Sequence, residues 1–188
     1  EEFGLRINPN SQKLKSYKDA IQWYESIEEK RDDLPYEIDG CVFKVNQFDD
    51  QEQLGVRATN PRWAIAWKFP PQREVTQIKS IKPYVGRTGA ITPVAHLKPV
   101  QIGGVEVSRV SLHNQDEIDR QDIREKDHVL VERAGDVIPH VVKVIKDKRN
   151  GNEKKYTLPE SCPACGGKVI RPEGDAIAHC VNTNCPAK

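Results

Sequence analysis

Four of the five cysteines of this 188-residue chain lie within its last 27 residues, in a spacing typical of a metal site. Cys162 and Cys165 flank two residues, Cys180 and Cys185 flank four, and fourteen residues separate the two pairs. Four thiolates in tetrahedral geometry hold Zn²⁺ in a closed structural site that leaves no position open for catalysis. The spacing therefore predicts one Zn²⁺ ion, and binding it would also fold a segment that has few apolar residues.

The other cysteine chemistries are less favoured by the sequence. Disulfides in a secreted protein are one alternative, but no charged-then-apolar leader opens the chain and an odd number of cysteines leaves one over. His179 is a possible substitute ligand, although its position beside Cys180 gives poor geometry. Cys41 stands alone among apolar residues, which favours a buried, inert thiol.

Two lysines, Lys44 and Lys68, each interrupt an apolar, strand-like run. The runs are Glu37–Val45 and Trp63–Phe69. Lys68 shares one face of its strand with Ala64 and Ala66, and small residues beside an ammonium group leave room for an anion such as a phosphate. The alternative is that each lysine snorkels from an edge strand into solvent.

Asp39 adds a carboxylate that could hold a divalent cation near the lysines. Five positions separate Asp39 from Lys44, so a straight strand would point them to opposite faces. We therefore expect a bulge or bend at Gly40 that brings both side chains to one site.

The elements that must position these residues begin with one helix. Ser16 and Asp19 form a plausible capping box, and apolar residues at helical spacing predict an amphipathic helix over 17–31 that Pro35 closes. The two lysine strands follow, separated by a polar stretch at 46–62.

The middle of the chain has the pattern of an all-β domain. Gly86–Gly89 and Gly103-Gly104 mark hairpin turns, and residues 114–120 could form a short helix. The strand-like runs are Val75–Val85, Ala90–Val100, Val105–Leu112 and His128–Ile145. These runs and one helix fit an OB-type barrel of five short strands, with a generic five-stranded barrel or a small sandwich as the alternative. Residues 146–155 are predicted to be a solvated linker.

Charge divides the chain into three expected domains. Residues 1–77 carry 11 basic and 14 acidic side chains, residues 78–150 carry 13 and 10, and residues 151–188 carry 5 and 4. The whole chain has a net charge of +1, which excludes a uniformly basic nucleic-acid binder and an acidic disordered tail. The basic middle domain is the part that would face a polyanion.

Two absences also bear on the class of protein. No apolar run is long enough to predict a membrane-spanning helix. The chain has no methionine, not even at position 1, and we therefore expect it to be a fragment of a longer protein.

Several strings in the chain resemble one family. Ile38–Asn46 and Trp63–Pro70 resemble two nucleotidyltransferase motifs of bacterial NAD-dependent DNA ligases. Three further strings resemble the OB domain of the same family: Val85–Ala95, Ser111–Asn114 and Arg133–Pro139. The four clustered cysteines match its zinc finger, and the strings occur in the family's order over nearly the whole chain. The resemblance implies an α+β, β-rich fold: a partial adenylation domain, an OB barrel and a four-cysteine zinc finger.

The resemblance implies an enzyme that seals nicks in duplex DNA. In that family a lysine attacks NAD, releases nicotinamide mononucleotide and keeps AMP. The AMP then passes to a 5′-phosphate, and the 3′-hydroxyl displaces it. Asp39 would help hold Mg²⁺ or Mn²⁺, and Lys44 and Lys68 would contact the adenylate phosphate. The implied DNA contacts come from the OB domain: Arg87, Thr88, Arg133, Gly135, Val137 and Ile138. The family also implies a monomeric enzyme of the bacterial cytoplasm that works at the nucleoid, away from membranes.

One departure from the family pattern limits these expectations. The family's nucleophile belongs to a Lys-x-Asp-Gly motif, whereas the single Asp-Gly here, at 39–40, follows Glu37-Ile38. We therefore expect a central ligase fragment that does not adenylate itself. A non-catalytic OB and zinc-ribbon module that binds nucleic acid is the first alternative, and a related RNA ligase or capping enzyme is the second. The lysines argue against the first and the zinc cysteines against the second.

Overall fold

A computed structural model describes residue 4, residues 6–133 and residues 138–188 of the chain. The described residues form two compact units that divide between Pro70 and Pro71. No helix in the described part of the chain is long and apolar enough to cross a membrane.

The first unit contains two helices and a two-stranded antiparallel sheet. Ser16 caps the first helix by accepting a hydrogen bond from the Asp19 amide at 3.2 Å, as the predicted cap requires. The elements are α1 (Tyr17–Glu29), β1 (Gly40–Lys44), α2 (Phe48–Leu54) and β2 (Ala64–Lys68). Helix α1 ends two residues before the predicted end, and a 3₁₀ turn at Arg31–Asp33 follows it. Helix α2 lies in the stretch from which we expected only a polar connection.

Aromatic side chains join α1 to one face of the sheet. The Tyr24 ring stacks on Trp67 with centroids 4.4 Å apart, and its hydroxyl donates to the Lys68 carbonyl at 3.0 Å. Buried Tyr24, Ile27, Cys41 and Phe69 form the small core beneath. Cys41 is therefore the buried thiol that its apolar surroundings predict, and burial raises its pKa.

The second unit is built from nine strands and one α-helix in its described residues. The long strands are β3 (Gln72–Val85), β4 (Ala90–Ile102), β5 (Val105–Ser111), β7 (His128–Arg133) and β8 (His140–Val144). The short ones are β6 (Arg124–Glu125), β9 (Lys154–Lys155), β10 (Val169–Ile170) and β11 (Ala178–Cys180), and the helix is α3 (Gln115–Gln121). The predicted run 128–145 is thus two strands, separated in part by residues that lie outside the described chain.

The five long strands wrap into one antiparallel sheet. β3 is central, pairing with β4 along one half and with β7 along the other, while β5 joins β4 and β8 joins β7. β8 also approaches β5, and α3 lies between β5 and β7 in the chain. The predicted turns connect β3 to β4 and β4 to β5. The core inside is aliphatic, with Ile78, Leu97, Val110, Ile118 and Val129 almost completely buried.

The cysteine-rich segment extends this same sheet. β11 pairs with the start of β4, where Ala178 lies opposite Ile91 and His179 opposite Ala90, and β10 pairs with β11. The buried Ile91 side chain belongs to the same core cluster as the four cysteines. The last module of the chain is therefore attached to the barrel by backbone pairing and by its core.

The segment 146–155, predicted to be a solvated linker, is exposed at most positions, but it contains a 3₁₀ turn and strand β9, and Arg149 ties it to the barrel. Arg149 donates from Nε to Asp127 Oδ1 and from Nη1 to Asp122 Oδ2, both at 2.7 Å. The Asp127 side chain is fully buried, so this connection is held by a charged, hydrogen-bonded network inside the unit. The segment is polar and rich in lysine, and its sequence does not distinguish Arg149, which pairs with a buried carboxylate, from the exposed lysines around it.

Candidate functional site

One face of the β1–β2 pair carries both predicted lysines. The register places Lys44 opposite Ala64 and Gly40 opposite Lys68, without a shift between them. Directly opposed residues in an antiparallel pair point to the same face, so both lysines lie on one face. Four residues of strand separate the two positions, which places their Cα atoms about 13 Å apart along the strands. Val42 and Ala66 lie between them. The face opposite α1 therefore holds a cation at each end and small side chains at its centre.

The expected bulge at Gly40 is absent, since β1 is paired regularly throughout. Gly40 serves another purpose, because a Cβ at this position would lie 2.5 Å from the Trp67 carbonyl oxygen and 2.6 Å from Lys68 Cα. The glycine permits the close approach of the two strands at this end.

Asp39 and Lys68 meet without that bulge. Lys68 Nζ donates to Asp39 Oδ2 at 2.8 Å, and the Asp39 carbonyl accepts from the Phe69 amide at 2.8 Å. The hydrogen bond from Lys68 lowers the pKa of Asp39. The Lys68 side chain is 70% exposed and that of Asp39 is 50% exposed, so the pair stays accessible to a phosphate or a divalent cation. Lys44 lies at the other end of the face and does not join them.

Two concave surfaces flank the lysine face. One, of about 700 Å³, is lined by Val42, Ala64 and Ala66 together with Arg57 and Arg62. These two arginines add positive charge that sequence reasoning missed, because they lie in the polar connection rather than in a strand. Their position two to seven residues before β2 is the signal that could have found them.

A second cavity, of about 570 Å³, opens along the free side of β1. Its lining includes Lys44, Trp23, Ile38 and Tyr36. The volume lies in the range of small-molecule pockets. Of the three predicted catalytic residues, Lys44 lines this cavity, whereas Asp39 and Lys68 lie outside its lining.

The four clustered cysteines converge on one point. Their Sγ atoms all lie within 4.8 Å of one another, with Cys162 and Cys185 3.8 Å apart and Cys165 and Cys180 3.6 Å apart. Four sulfurs that each lie about 2.3 Å from one tetrahedral Zn²⁺ ion have similar separations from one another. The observed separations are far longer than the S–S bond of a disulfide, which is about 2.05 Å. The donor set therefore fits Zn²⁺, and His179 is not part of it.

The local backbone prepares this site for thiolates. Gly166 has a φ of +70°, and the Gly167 amide donates to Cys165 Sγ at 3.4 Å. Hydrogen bonds from Asn182 and from that amide lower the pKa of Cys165 to about 6, whereas burial raises the pKa of Cys180 to about 11. The glycines after Cys165 thus turn an N–H toward its sulfur.

Arg87 and Thr88 occupy the tip of the β3–β4 hairpin and are both exposed. The turn is closed by hydrogen bonds from the Gly86 amide to the Ala90 carbonyl and from the Gly89 amide to the Gly86 carbonyl, both at 2.8 Å. Gly89 has a φ of +83°, and its carbonyl accepts from the Cys180 amide at 2.9 Å. The tip is therefore fixed directly against a zinc-ligand strand.

Arg133 lies at the opposite end of the 14-residue strand β3, where it pairs with Gln72. Its Nη1 donates to the Gly103 carbonyl at 3.0 Å, so the guanidinium supports the β4–β5 turn. Ile138 is 76% exposed. Gly135 and Val137 lie outside the described residues. The structure thus separates the predicted DNA contacts into a hairpin tip and a second region at the end of β7.

Comparison with known proteins identifies the family that these features define. The adenylation domain of NAD-dependent DNA ligases matches residues 1–72, their OB-fold domain matches residues 75–153, and their C4 zinc finger domain matches residues 161–187. The chain is therefore built from nucleotidyltransferase, OB and zinc-finger parts, and it belongs to the NAD-dependent DNA ligase family.

Curated relatives named DNA ligase match over the same length. The chain is 52% identical over 186 residues to one from Geotalea uraniireducens and 53% identical over 188 residues to one from Halothermothrix orenii. A third, from Salinibacter ruber, is 53% identical over 189 residues. These alignments cover 99–100% of this chain but 27–28% of each relative, so the chain spans little more than a quarter of their length.

The α+β, β-rich fold with an OB barrel and a zinc-finger cysteine cluster is confirmed. The domain limits 1–77, 78–150 and 151–188 stay predictions.

Proposed function

We propose that the protein containing this chain seals nicks in duplex DNA with NAD as the adenylate donor. The observation that carries the proposal is the β1–β2 face, which places Lys44 and Lys68 at its two ends with small residues between them, and Asp39 against Lys68. A binding module has no need for cations at these strand positions, whereas a nucleotidyltransferase does.

We assign the lysines to the adenylate phosphate. Fixed ammonium groups stabilise the charge that develops on phosphorus oxygens during transfer, and they do so best where little rearrangement is needed. Asp39 would exchange its ion pair with Lys68 for a ligand bond to Mg²⁺ or Mn²⁺. Such an ion would polarise the phosphate oxygens. Arg57 and Arg62 would add positive charge beside the same strands.

We assign the second unit to nicked duplex DNA. Arg87 and Thr88 at the exposed hairpin tip would contact phosphates, as would Arg133 at the other end of β3. The exposed Ile138, with Gly135 and Val137, would meet the minor groove. We further propose a monomeric parent enzyme at the bacterial nucleoid.

The test is a sealing assay on the full-length protein that contains this chain. Nicked duplex DNA should be sealed with NAD and Mg²⁺ but not with ATP and Mg²⁺. Lys68→Ala should lower the sealing rate about 100- to 1000-fold, the typical loss of one group that stabilises transition-state charge. Lys13→Ala, which removes an exposed lysine outside the face, is the control.

Folding should be unaffected in both variants, because Lys68 is exposed. Circular dichroism and zinc content would verify this. Sealing with ATP in place of NAD would contradict NAD as the adenylate donor. Wild-type turnover of Lys68→Ala would contradict the assigned role of this lysine.

A further inference from the structure

Tyr24 of helix α1 contacts three consecutive residues around the end of β2, and the middle one of them is Lys68. Its ring is stacked on Trp67 at 16° with centroids 4.4 Å apart, and its centroid lies 5.1 Å from that of Phe69. Its hydroxyl donates to the Lys68 carbonyl at 3.0 Å. Tyr24 is only 6% exposed, so the small core of the first unit fixes its position. The steps assigned above give this hydroxyl no role.

The hydroxyl meets a carbonyl that the β1–β2 ladder does not use. The Phe69 amide donates to the Asp39 carbonyl, so these two residues form a hydrogen-bonded pair. Pairs of the two kinds alternate along an antiparallel ladder, so the next pair, Gly40 with Lys68, is of the non-hydrogen-bonded kind. The Lys68 carbonyl therefore points away from β1. Within the described residues β2 pairs with β1 alone, and the Tyr24 hydroxyl supplies the donor on the other side.

The end of β2 has few backbone bonds to hold it. Lys68 is its last residue, and Phe69 and two prolines, which have no amide N–H, follow. Strand ends with few backbone bonds open at low free energy. Two side chains act against this: Asp39 holds the Lys68 ammonium group at 2.8 Å, and Tyr24 holds the Lys68 main chain. If Asp39 turns to a metal ion, the contact from Tyr24 is the one that remains.

We propose that Tyr24 is a positioning residue for Lys68 in adenylate transfer. The inference rests on the proposed function and adds to it a residue of the α1 side of the sheet, which acts only through Lys68. An ammonium group that is already in place stabilises charge on phosphate oxygens with little rearrangement. Displacing a reacting group by about 1 Å can lower a rate about 100-fold. The Tyr24 hydroxyl prevents such a displacement by fixing the main chain from which the lysine projects.

The test is a double-mutant cycle in the full-length protein that contains this chain. The sealing rate would be measured at saturating NAD and nicked duplex DNA. Tyr24→Phe removes the hydroxyl and keeps the stacked ring, and it should lower this rate about 10-fold because Lys68 is less well placed. In the Lys68→Ala background the same substitution should change the rate by less than about 2-fold, since the side chain through which Tyr24 acts is gone.

The matched control is Tyr17→Phe, which removes an exposed hydroxyl from the same helix and should leave the rate unchanged. Circular dichroism would verify that the variants are folded. A wild-type rate for Tyr24→Phe, beside an impaired Lys68→Ala, would overturn the positioning role and leave the proposed function standing. An equal loss in both backgrounds would also overturn it, because a merely structural effect lowers both rates alike. Failure of the wild-type protein to seal nicks with NAD would contradict the proposed function itself.

Discussion

The ion pair of Lys68 with Asp39 holds one end of the lysine face. Lys68 lies on that face with Ala64 and Ala66, as the alternation within residues 63–69 predicts. Asp39 reaches this face without the bulge that we expected at Gly40. The carboxylate lies just before β1 and bonds Lys68 across a strand approach that only glycine at position 40 permits. The close approach of two strands depends on the tertiary structure, and the spacing of residues within one strand does not predict it.

Arg149 is the residue whose role sequence reasoning missed most clearly. It sits within a run of charged and polar residues, a pattern typical of a solvated linker, yet its side chain is 17% exposed and spans Asp122 and Asp127. Its partners lie 22 and 27 positions earlier in the chain. Nothing local distinguishes it from the neighbouring lysines, because only the fold brings these carboxylates together.

Replacing Arg149 by alanine should destabilise the second unit by about 3 kcal/mol or more, since it leaves the buried Asp127 carboxylate without its charged partner. Urea unfolding followed by fluorescence would measure the change. Lys148→Ala, next to it and exposed, should change the free energy of unfolding by less than about 0.5 kcal/mol. Equal effects of the two substitutions would show that the network contributes nothing specific.

The same network should give a defined acid dependence. Hydrogen bonds from Arg149 and Arg124 lower the pKa of Asp122 to about 2, below the value of about 3.9 expected in the unfolded chain. This stabilisation is complete above the unfolded pKa and is lost as the pH falls from about 4 to 2. Arg149→Ala should therefore flatten the stability profile in that window, and an identical profile in both proteins would contradict the assignment.

At the scale of elements, the zinc module and the barrel form one sheet. The sequence indicates each part separately: four cysteines for the metal, and hairpin turns with Val- and Ile-rich runs for the barrel. It does not indicate that β11 pairs with β4, because the paired positions are far apart in the chain and the pairing is only two residues long. Ile91 and Gly89 are the residues on which this junction depends, the first by burial and the second by its carbonyl.

Removing the metal should therefore loosen the hairpin that carries Arg87 and Thr88. After chelation, amide hydrogen exchange should accelerate at residues 86–91 and 178–180, where backbone bonds join the two parts, and remain slow at Val129 and Val131 in the barrel core. Exchange measured by mass spectrometry would resolve these segments. Unchanged protection at 86–91 would show that the hairpin is fixed without the zinc site.

At the scale of the whole molecule, the net charge of +1 is the sum of segments with opposite net charges. Its acidic first part holds the lysine face, and its basic middle part holds the exposed hairpin tip. The family and the fold class are readable from the sequence because several long strings occur in a fixed order. The course of individual strands and the contacts between distant segments are not, since they depend on the folded backbone.

We propose that this chain contributes phosphate-contacting lysines to a ligase but not the nucleophile. The most direct test incubates the 188-residue chain with NAD and Mg²⁺ and measures its intact mass, beside the full-length protein treated identically. The full-length protein should gain one covalent AMP, and the 188-residue chain should gain none. An adenylate attached to any lysine of the 188-residue chain would contradict it.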